Sequence, residues 1–88
     1  MKLLKSWEIE EDASEQMRWI RYSITGIVVA EVVYDMADQS WGWFAWVGDS
    51  DCGSVLAFKT DSLAKSACDT ALRNNGYRFI KKNQLVML

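Results

Sequence analysis

The feature that most constrains this chain is a short segment crowded with tryptophan. Of the five tryptophans in 88 residues, three lie within residues 41–46. A buried aromatic side chain removes roughly 150–250 Å² from water, so five represent on the order of 1,000 Å². A domain of this length buries only a little over ~60% of the surface of its unfolded chain. The fold must therefore enclose most of this aromatic surface, or leave part of it exposed for a partner.

The tryptophan segment is predicted to be a strand over residues 41–47. Successive side chains of a strand point to opposite faces of the sheet. Trp41 and Trp43 therefore share one face, and Phe44 and Trp46 share the other. Because one helix covers only one face of a sheet, alternation already separates aromatics that fill the core from aromatics that need another explanation.

The clearest single element is an amphipathic helix over about residues 62–75. Thr60, Asp61 and Ser62 supply oxygens for its N-cap, and Gly76 suits the left-handed position after its end. Its apolar positions recur at helical spacing. They are Leu63, Ala64, Ala67, Cys68, Ala71 and Leu72. Since most of these residues are small, the helix can approach a sheet closely, and large side chains such as the tryptophans are needed to meet it. Asp69 and Arg73 are spaced as an i, i+4 ion pair on its polar side.

The remaining pattern is mainly that of strands. Strands are predicted at residues 18–24, 27–34, 41–47 and 54–58, with an edge strand at 6–10 and extended segments at 78–80 and 85–88. Residues 48–53 are predicted to be a turn, and residues 12–15 resemble a capping box that predicts a helical turn over 13–17. The sequence thus predicts one small domain over residues 1–88. Its class is α+β, an antiparallel β-meander of three to five strands with the helix packed on one face.

The second face of this sheet needs a cover. The N-terminal segment and the C-terminal tail are one candidate, a homodimer through the sheet is another, and a binding partner is the third. An apolar patch of several hundred Å² is otherwise rare on the surface of a monomer.

Composition limits the compartment and the partners. The net charge is −2 and the sequence pI is about 5.0, which disfavours non-specific attraction to nucleic acid. No apolar run reaches the ~18 residues of a membrane span, and the first residues do not resemble a secretory signal. A cytoplasmic protein without membrane attachment is expected. Its two cysteines are expected to be free thiols, Cys68 in the core and Cys52 exposed in a polar turn.

The sequence offers no catalytic, cofactor or metal motif, so no enzyme activity is expected. The chain has no histidine, which removes the commonest general base and metal ligand. Residues 49–60 resemble a calcium loop only superficially, because Thr60 stands where a bidentate glutamate is required. Catalytic, cofactor-binding and metal-binding residues are therefore all predicted to be absent.

The strand, turn and helix of the C-terminal half carry a resemblance. A Gly-Trp-x-x-Trp strand, a glycine turn, a short strand and a helix that ends in Gly-Tyr resemble small accessory proteins of bacteriophages and prophages. The matching residues are Gly42, Trp43, Trp46, Gly53, Leu63, Ala64, Lys65, Ala67, Asp69, Ala71, Leu72, Gly76 and Tyr77. The resemblance implies a non-enzymatic product in the host cytoplasm, such as an anti-CRISPR or another inhibitor of a host or defence protein.

The leading hypothesis is a protein-binding module, with aromatics at the centre of the interface and carboxylates at its rim. In this hypothesis the carboxylates mimic a phosphate backbone and engage a basic protein surface. The predicted partner-binding residues are Trp7, Asp35, Asp38, Trp41, Asp49 and Asp51. The alternative is a single-stranded nucleic-acid binder that stacks bases on aromatics beside basic residues, although the acidic composition argues against it. The residues for that role are Trp19, Trp46, Arg21 and Lys82. A third hypothesis is a structural homodimer within a larger assembly.

Overall fold

The computed structural model describes residues 2–11, 17–47, 50–53 and 58–80. In chain order the elements are β1 (Lys2–Leu4), β2 (Glu8–Glu11), β3 (Met17–Tyr22), β4 (Val28–Asp35), β5 (Ser40–Val47), β6 (Ser50–Gly53), α1 (Asp61–Asn74) and β7 (Tyr77–Phe79). Strands β2 to β6 form one antiparallel sheet in sequence order. With α1 packed on one face, this arrangement confirms the predicted α+β class and the meander.

The helix begins and ends at the residues that the sequence indicates. The N-cap Thr60 accepts a hydrogen bond on Oγ1 from the Leu63 N–H at 3.2 Å. At the other end Gly76 has a φ of +88°, a conformation that favours glycine, and its N–H donates to the Arg73 carbonyl. The predicted bounds of 62–75 therefore agree with the observed Asp61–Asn74 to within one residue.

The hydrophobic core lies between α1 and the face of β4 and β5 that this helix covers. The helix contributes Ala64, Cys68 and Leu72, all fully buried, so the prediction of Cys68 as a core residue is confirmed. The sheet contributes, among others, Val32 and Trp43, which are directly opposite in the register. Small residues of the helix thus face the large indole of Trp43, as the small apolar residues of the helix predict.

A parallel pair of strands was not predicted. β1 pairs with β7 in register Lys2↔Tyr77. On the other side of β1, the N–H of Lys5, the residue after this strand, donates to the carbonyl of Tyr22 at the end of β3. The fully buried Leu4 anchors β1 in the core. A three-residue strand is too short to show a period, and its partner is remote in the sequence. The extended segment predicted at 78–80 is present as Tyr77–Phe79.

Local predictions from polar sequence were partly wrong. Residues 50–53, predicted as a turn that holds Cys52, form strand β6, because pairing with β5 overrides the weak strand propensity of Ser, Asp and Gly. Met17, predicted in a helical turn, is the first residue of β3. The edge strand predicted at 6–10 is present as Glu8–Glu11. Phe58 forms an isolated bridge with Trp41. The other parts of the predictions for 13–17, 54–58 and 85–88 lie outside the described residues.

Candidate functional site

The register of the sheet assigns each aromatic side chain to one of two faces. Trp43 is opposite Val32 on the face that α1 covers, whereas Phe44 is opposite Glu31 on the other face. Within the described residues no helix covers this second face, which we call the open face. Its side chains are Glu8, Glu10, Arg18, Ile20, Tyr22, Glu31, Val33, Phe44 and Trp46.

Two large aromatics of β5 are exposed on the open face. Phe44 is 51% exposed and Trp46 is 41% exposed. They are two residues apart on one strand, so their side chains are neighbours on the same surface. Their position confirms the alternation that the sequence predicted for this strand.

Phe44 owes its position to a glycine on the neighbouring strand. Gly53 of β6 is its directly opposite partner. A Cβ on Gly53 would lie 2.9 Å from Cδ1 of Phe44 and 3.1 Å from the carbonyl oxygen of Trp43. The ring therefore lies over the bare backbone of β6, an arrangement in which an aromatic side chain covers a strand glycine. Glycine at this position keeps the aromatic end of the open face flat.

The other half of the open face is acidic. Arg18 on β3 forms ion pairs with Glu10 at 3.0 Å and with Glu31 at 3.6 Å. Tyr22 donates a hydrogen bond to Glu10 at 3.4 Å. Glu8 has no hydrogen bond or ion pair with another described residue. Three carboxylates therefore accompany one guanidinium on this half, and the balance is negative.

The pKa of Tyr22 reports the same negative potential. Desolvation of the phenol, the charge of Glu10, the hydrogen bond to Glu10 and the charge of Glu8 all raise its pKa above the usual value, while Arg18 opposes them. The net direction is upward because the phenolate would lose hydration on burial and because it would add a negative charge beside the carboxylates of Glu10 and Glu8.

A shallow depression adjoins this acidic half. Its volume is about 380 Å³ and it is open to solvent. The lining residues are Lys5, Glu8, Ile9, Glu10, Tyr22 and Gly26. One concave surface of this sheet edge thus combines a phenol ring with two carboxylates.

A buried polar cluster lies on the helix side of the sheet. Arg21 is buried and reaches Asp69 of α1 through two contacts, Nε to Oδ1 at 3.1 Å and Nη2 to Oδ2 at 3.3 Å. Its Nη1 donates to the carbonyl of Lys5. The guanidinium also lies 4.0 Å from the ring centroid of Phe79 and 5.1 Å from that of Trp7. Asp69 therefore pairs with Arg21, and the i, i+4 pair predicted with Arg73 is replaced by this longer-range contact.

The predicted partner-binding residues are distributed over several parts of the fold. Trp7 is half-buried and donates from Nε1 to Asp69 at 3.1 Å. Trp41 is half-buried on the helix side, with its ring centroid 5.2 Å from that of Tyr34. Both tryptophans therefore have structural contacts inside the domain.

The four predicted aspartates do not form one surface. Asp35 and Asp38 are exposed in the connector before β5, where the Asp35 carboxylate accepts hydrogen bonds from the Ala37 and Asp38 N–H groups. Asp51 lies on β6, paired with Trp46 near the other end of β5. Ser40, the partner of Asp35, and Trp46, the partner of Asp51, are six positions apart on β5, or about 20 Å. The side chain of Asp51 and all of Asp49 lie outside the described residues, so their predicted role stays a prediction.

The residues of the nucleic-acid alternative are also separated. Trp19 lies on the helix side of the sheet, where its ring centroid is 3.1 Å from Nζ of Lys65. Arg21 belongs to the buried polar cluster. Trp46 is on the opposite face. Lys82 lies outside the described residues. No single described surface combines the three described members of this set.

Sequence reasoning missed the charged half of the open face. The aromatic half could be predicted, because strand alternation places Phe44 and Trp46 on the side that the helix does not reach. Glu10, Arg18 and Glu31 meet only through the register of three strands, which hydrophobic pattern alone does not set.

Comparisons with family models, with curated proteins and with solved structures found no significant match. In the described part of the chain no helix has the length and apolar character needed to span a bilayer. Among the same residues, no group of three or more His, Cys, Asp or Glu side chains is placed to hold a metal ion.

Proposed function

We propose that this protein is a non-enzymatic protein-binding module that occupies a partner's surface with its open face. The observation that carries the proposal is the exposure of Phe44 and Trp46 side by side on the face without a helix. Tryptophan and other aromatics at the centre of an interface commonly dominate its binding energy. A surrounding ring of charged groups then provides selectivity and excludes water.

The proposal changes the anchors that the sequence favoured. Trp46 and Phe44 replace Trp7 and Trp41, because the latter two are engaged by Asp69 and Tyr34 within the domain. Asp35 and Asp38 remain candidates for contacts beyond the open face. The resemblance to phage accessory proteins implies an inhibitor of a host or defence protein, and such an inhibitor needs only to cover part of its target's surface. We propose that it acts in the cytoplasm.

The decisive experiment compares capture by two surface variants. Tagged wild-type protein, the double variant Phe44→Ser/Trp46→Ser and the control Met36→Ser/Leu63→Ser are used to capture proteins from an extract of the cells that produce the chain. Met36 and Leu63 are 66% and 52% exposed but lie away from the open face. Circular dichroism first establishes that all three proteins are folded.

We expect one partner to be retained by the wild type and the control and lost by the open-face variant. Retention by the open-face variant would contradict the proposal. Equal loss in both variants would do the same, because it would mean that general hydrophobicity and not this face captures the partner.

A further inference from the structure

We infer that the partner of the open face presents a cationic side chain next to an apolar one. This inference rests on the proposed protein-binding function and specifies the chemistry of the partner. It follows from three observations, namely the order of residues across the sheet, the balance of charge and the depression beside Tyr22.

The first observation is one row of residues that crosses all five strands of the sheet. In register order the row is Glu8, Ile20, Glu31, Phe44 and Gly53. Neighbouring strands are about 4.8 Å apart. Glu31 is therefore adjacent to Phe44, and Glu8 is about 14 Å from Phe44, within reach of a short segment laid across the strands. Ile20 between the two acids is buried, so the accessible side chains of the row are those of the two acids and of Phe44.

The second observation is the balance of charge. Arg18 is shared between Glu10 and Glu31, so this trio keeps one net negative charge. Glu8 adds another. A second copy of the chain placed face to face would bring like charges together, whereas a basic partner would be attracted. Charge complementarity therefore favours a basic protein surface over a homodimer.

The third observation is the shape of the acidic end. The depression there is lined by the ring of Tyr22 and the carboxylates of Glu8 and Glu10, with Lys5 as one cationic group among them. An arginine side chain can stack its planar group on an aromatic ring while it donates hydrogen bonds to a carboxylate. The acidic end thus fits a guanidinium, and the aromatic end fits an aliphatic side chain on Phe44 and Trp46.

The test uses three end-blocked hexapeptides that differ in charge. They alternate leucine with arginine, with glutamine or with glutamate, so charge changes from positive to neutral to negative and only arginine also offers a planar cation that can stack on Tyr22. Each is titrated into the ¹⁵N-labelled full-length protein, and amide shifts on β4 and β5 are followed. We expect the arginine peptide to bind about three- to tenfold more tightly than the glutamine peptide and the glutamate peptide to bind weakest.

Two variants of equal net charge locate the effect. Glu8→Gln should reduce the preference for the arginine peptide, since Glu8 has no ion pair that the change would break among the described residues. Asp61→Asn removes the same charge from the first turn of α1, on the other side of the sheet, and should leave that preference unchanged. An equal effect of the two variants would overturn the inference, because it would assign the preference to net charge alone.

The remaining outcomes separate this inference from the proposed function. Equal binding of arginine and glutamine peptides, lost in Trp46→Ser, would overturn the basic partner and keep the protein-binding face. Absence of binding by any peptide would overturn the inference, while the capture experiment still decides the function. A dimer in sedimentation that is lost in Phe44→Ser/Trp46→Ser would overturn the basic partner in favour of a second copy.

Discussion

The ring of Phe44 lies over Gly53 so closely that no side chain fits beneath it, since a Cβ there would be 2.9 Å from Cδ1 of the ring. The two residues are directly opposite on β5 and β6. One glycine thus determines how an exposed aromatic of the candidate site is presented.

Gly53→Ala is expected to lower the free energy of unfolding by about 1–3 kcal/mol, because the added methyl group overpacks the contact with Phe44 and the Trp43 carbonyl. In a background of Phe44→Ala the same change should cost less, since the ring is gone. Urea unfolding of the four proteins of this double-mutant cycle measures the coupling. An equal cost in both backgrounds would mean that Phe44 does not restrict position 53.

Asp69→Asn is expected to lower the free energy of unfolding by about 3–5 kcal/mol, because it leaves the buried charge of Arg21 uncompensated. The control is Asp61→Asn, which removes the partly exposed i, i+4 pair with Lys65 on the surface of α1 and should cost less than about 1 kcal/mol. Replacing Arg21 and Asp69 together by leucine should cost less than Asp69→Asn alone, since no orphaned charge remains. If urea unfolding shows that the double leucine variant loses as much stability as Asp69→Asn, or more, this account of the cluster is contradicted.

Tyr22 is expected to titrate above the usual tyrosine pKa of about 10. Since its pKa is raised in the folded state, the native protein favours the neutral phenol. This contribution to stability is complete below pH ~10 and is lost as the pH rises through the raised pKa. The difference in absorbance at 295 nm between wild type and Tyr22→Phe gives the titration directly.

Glu10→Gln should lower the pKa of Tyr22, because it removes both a nearby charge and an acceptor of the phenol proton. Asp38→Asn, an exposed carboxylate in the connector before β5, serves as the control and should leave the titration in place. A Tyr22 pKa at or below 10, or equal shifts in the two variants, would refute the assignment of negative potential to this end of the open face.

Leu4→Ala is expected to lower the free energy of unfolding by about 2–5 kcal/mol, as for other fully buried leucines. Leu63→Ala offers a matched control, because Leu63 is 52% exposed on α1 and its change should stay within about 0.5 kcal/mol. Thermal or urea unfolding compares the two. Similar values would show that β1 is not part of the cooperative core.

The helix could be predicted from the sequence because its signals are local. Thr60 caps its start, Gly76 ends it, and the small residues between them share one face. Strands β2 to β5 of the meander were predictable for the same reason, from alternation and β-branched residues, whereas β6 was not. The division of Trp43 from Trp46 followed from the two-residue period alone.

The rest depends on contacts between distant residues. Arg21 and Asp69 are 48 positions apart, and no local pattern indicates that one will neutralise the other. The parallel pairing of β1 with β7 and the assembly of Glu10, Arg18 and Glu31 likewise require the register of the whole sheet. The acidic half of the candidate site therefore becomes visible only in three dimensions.

The pairing of β1 with β7 also has a consequence for biosynthesis. Lys2–Leu4 leaves the ribosome early, whereas Tyr77–Phe79 follows the helix and all five strands of the large sheet. Until then β1 lacks its parallel partner strand, and the Arg21 guanidinium lacks the ring of Phe79. Domains that depend on such distant contacts fold slowly. We therefore expect a nascent chain stalled before residue 77 to remain sensitive to protease, with resistance gained only after β7 has emerged.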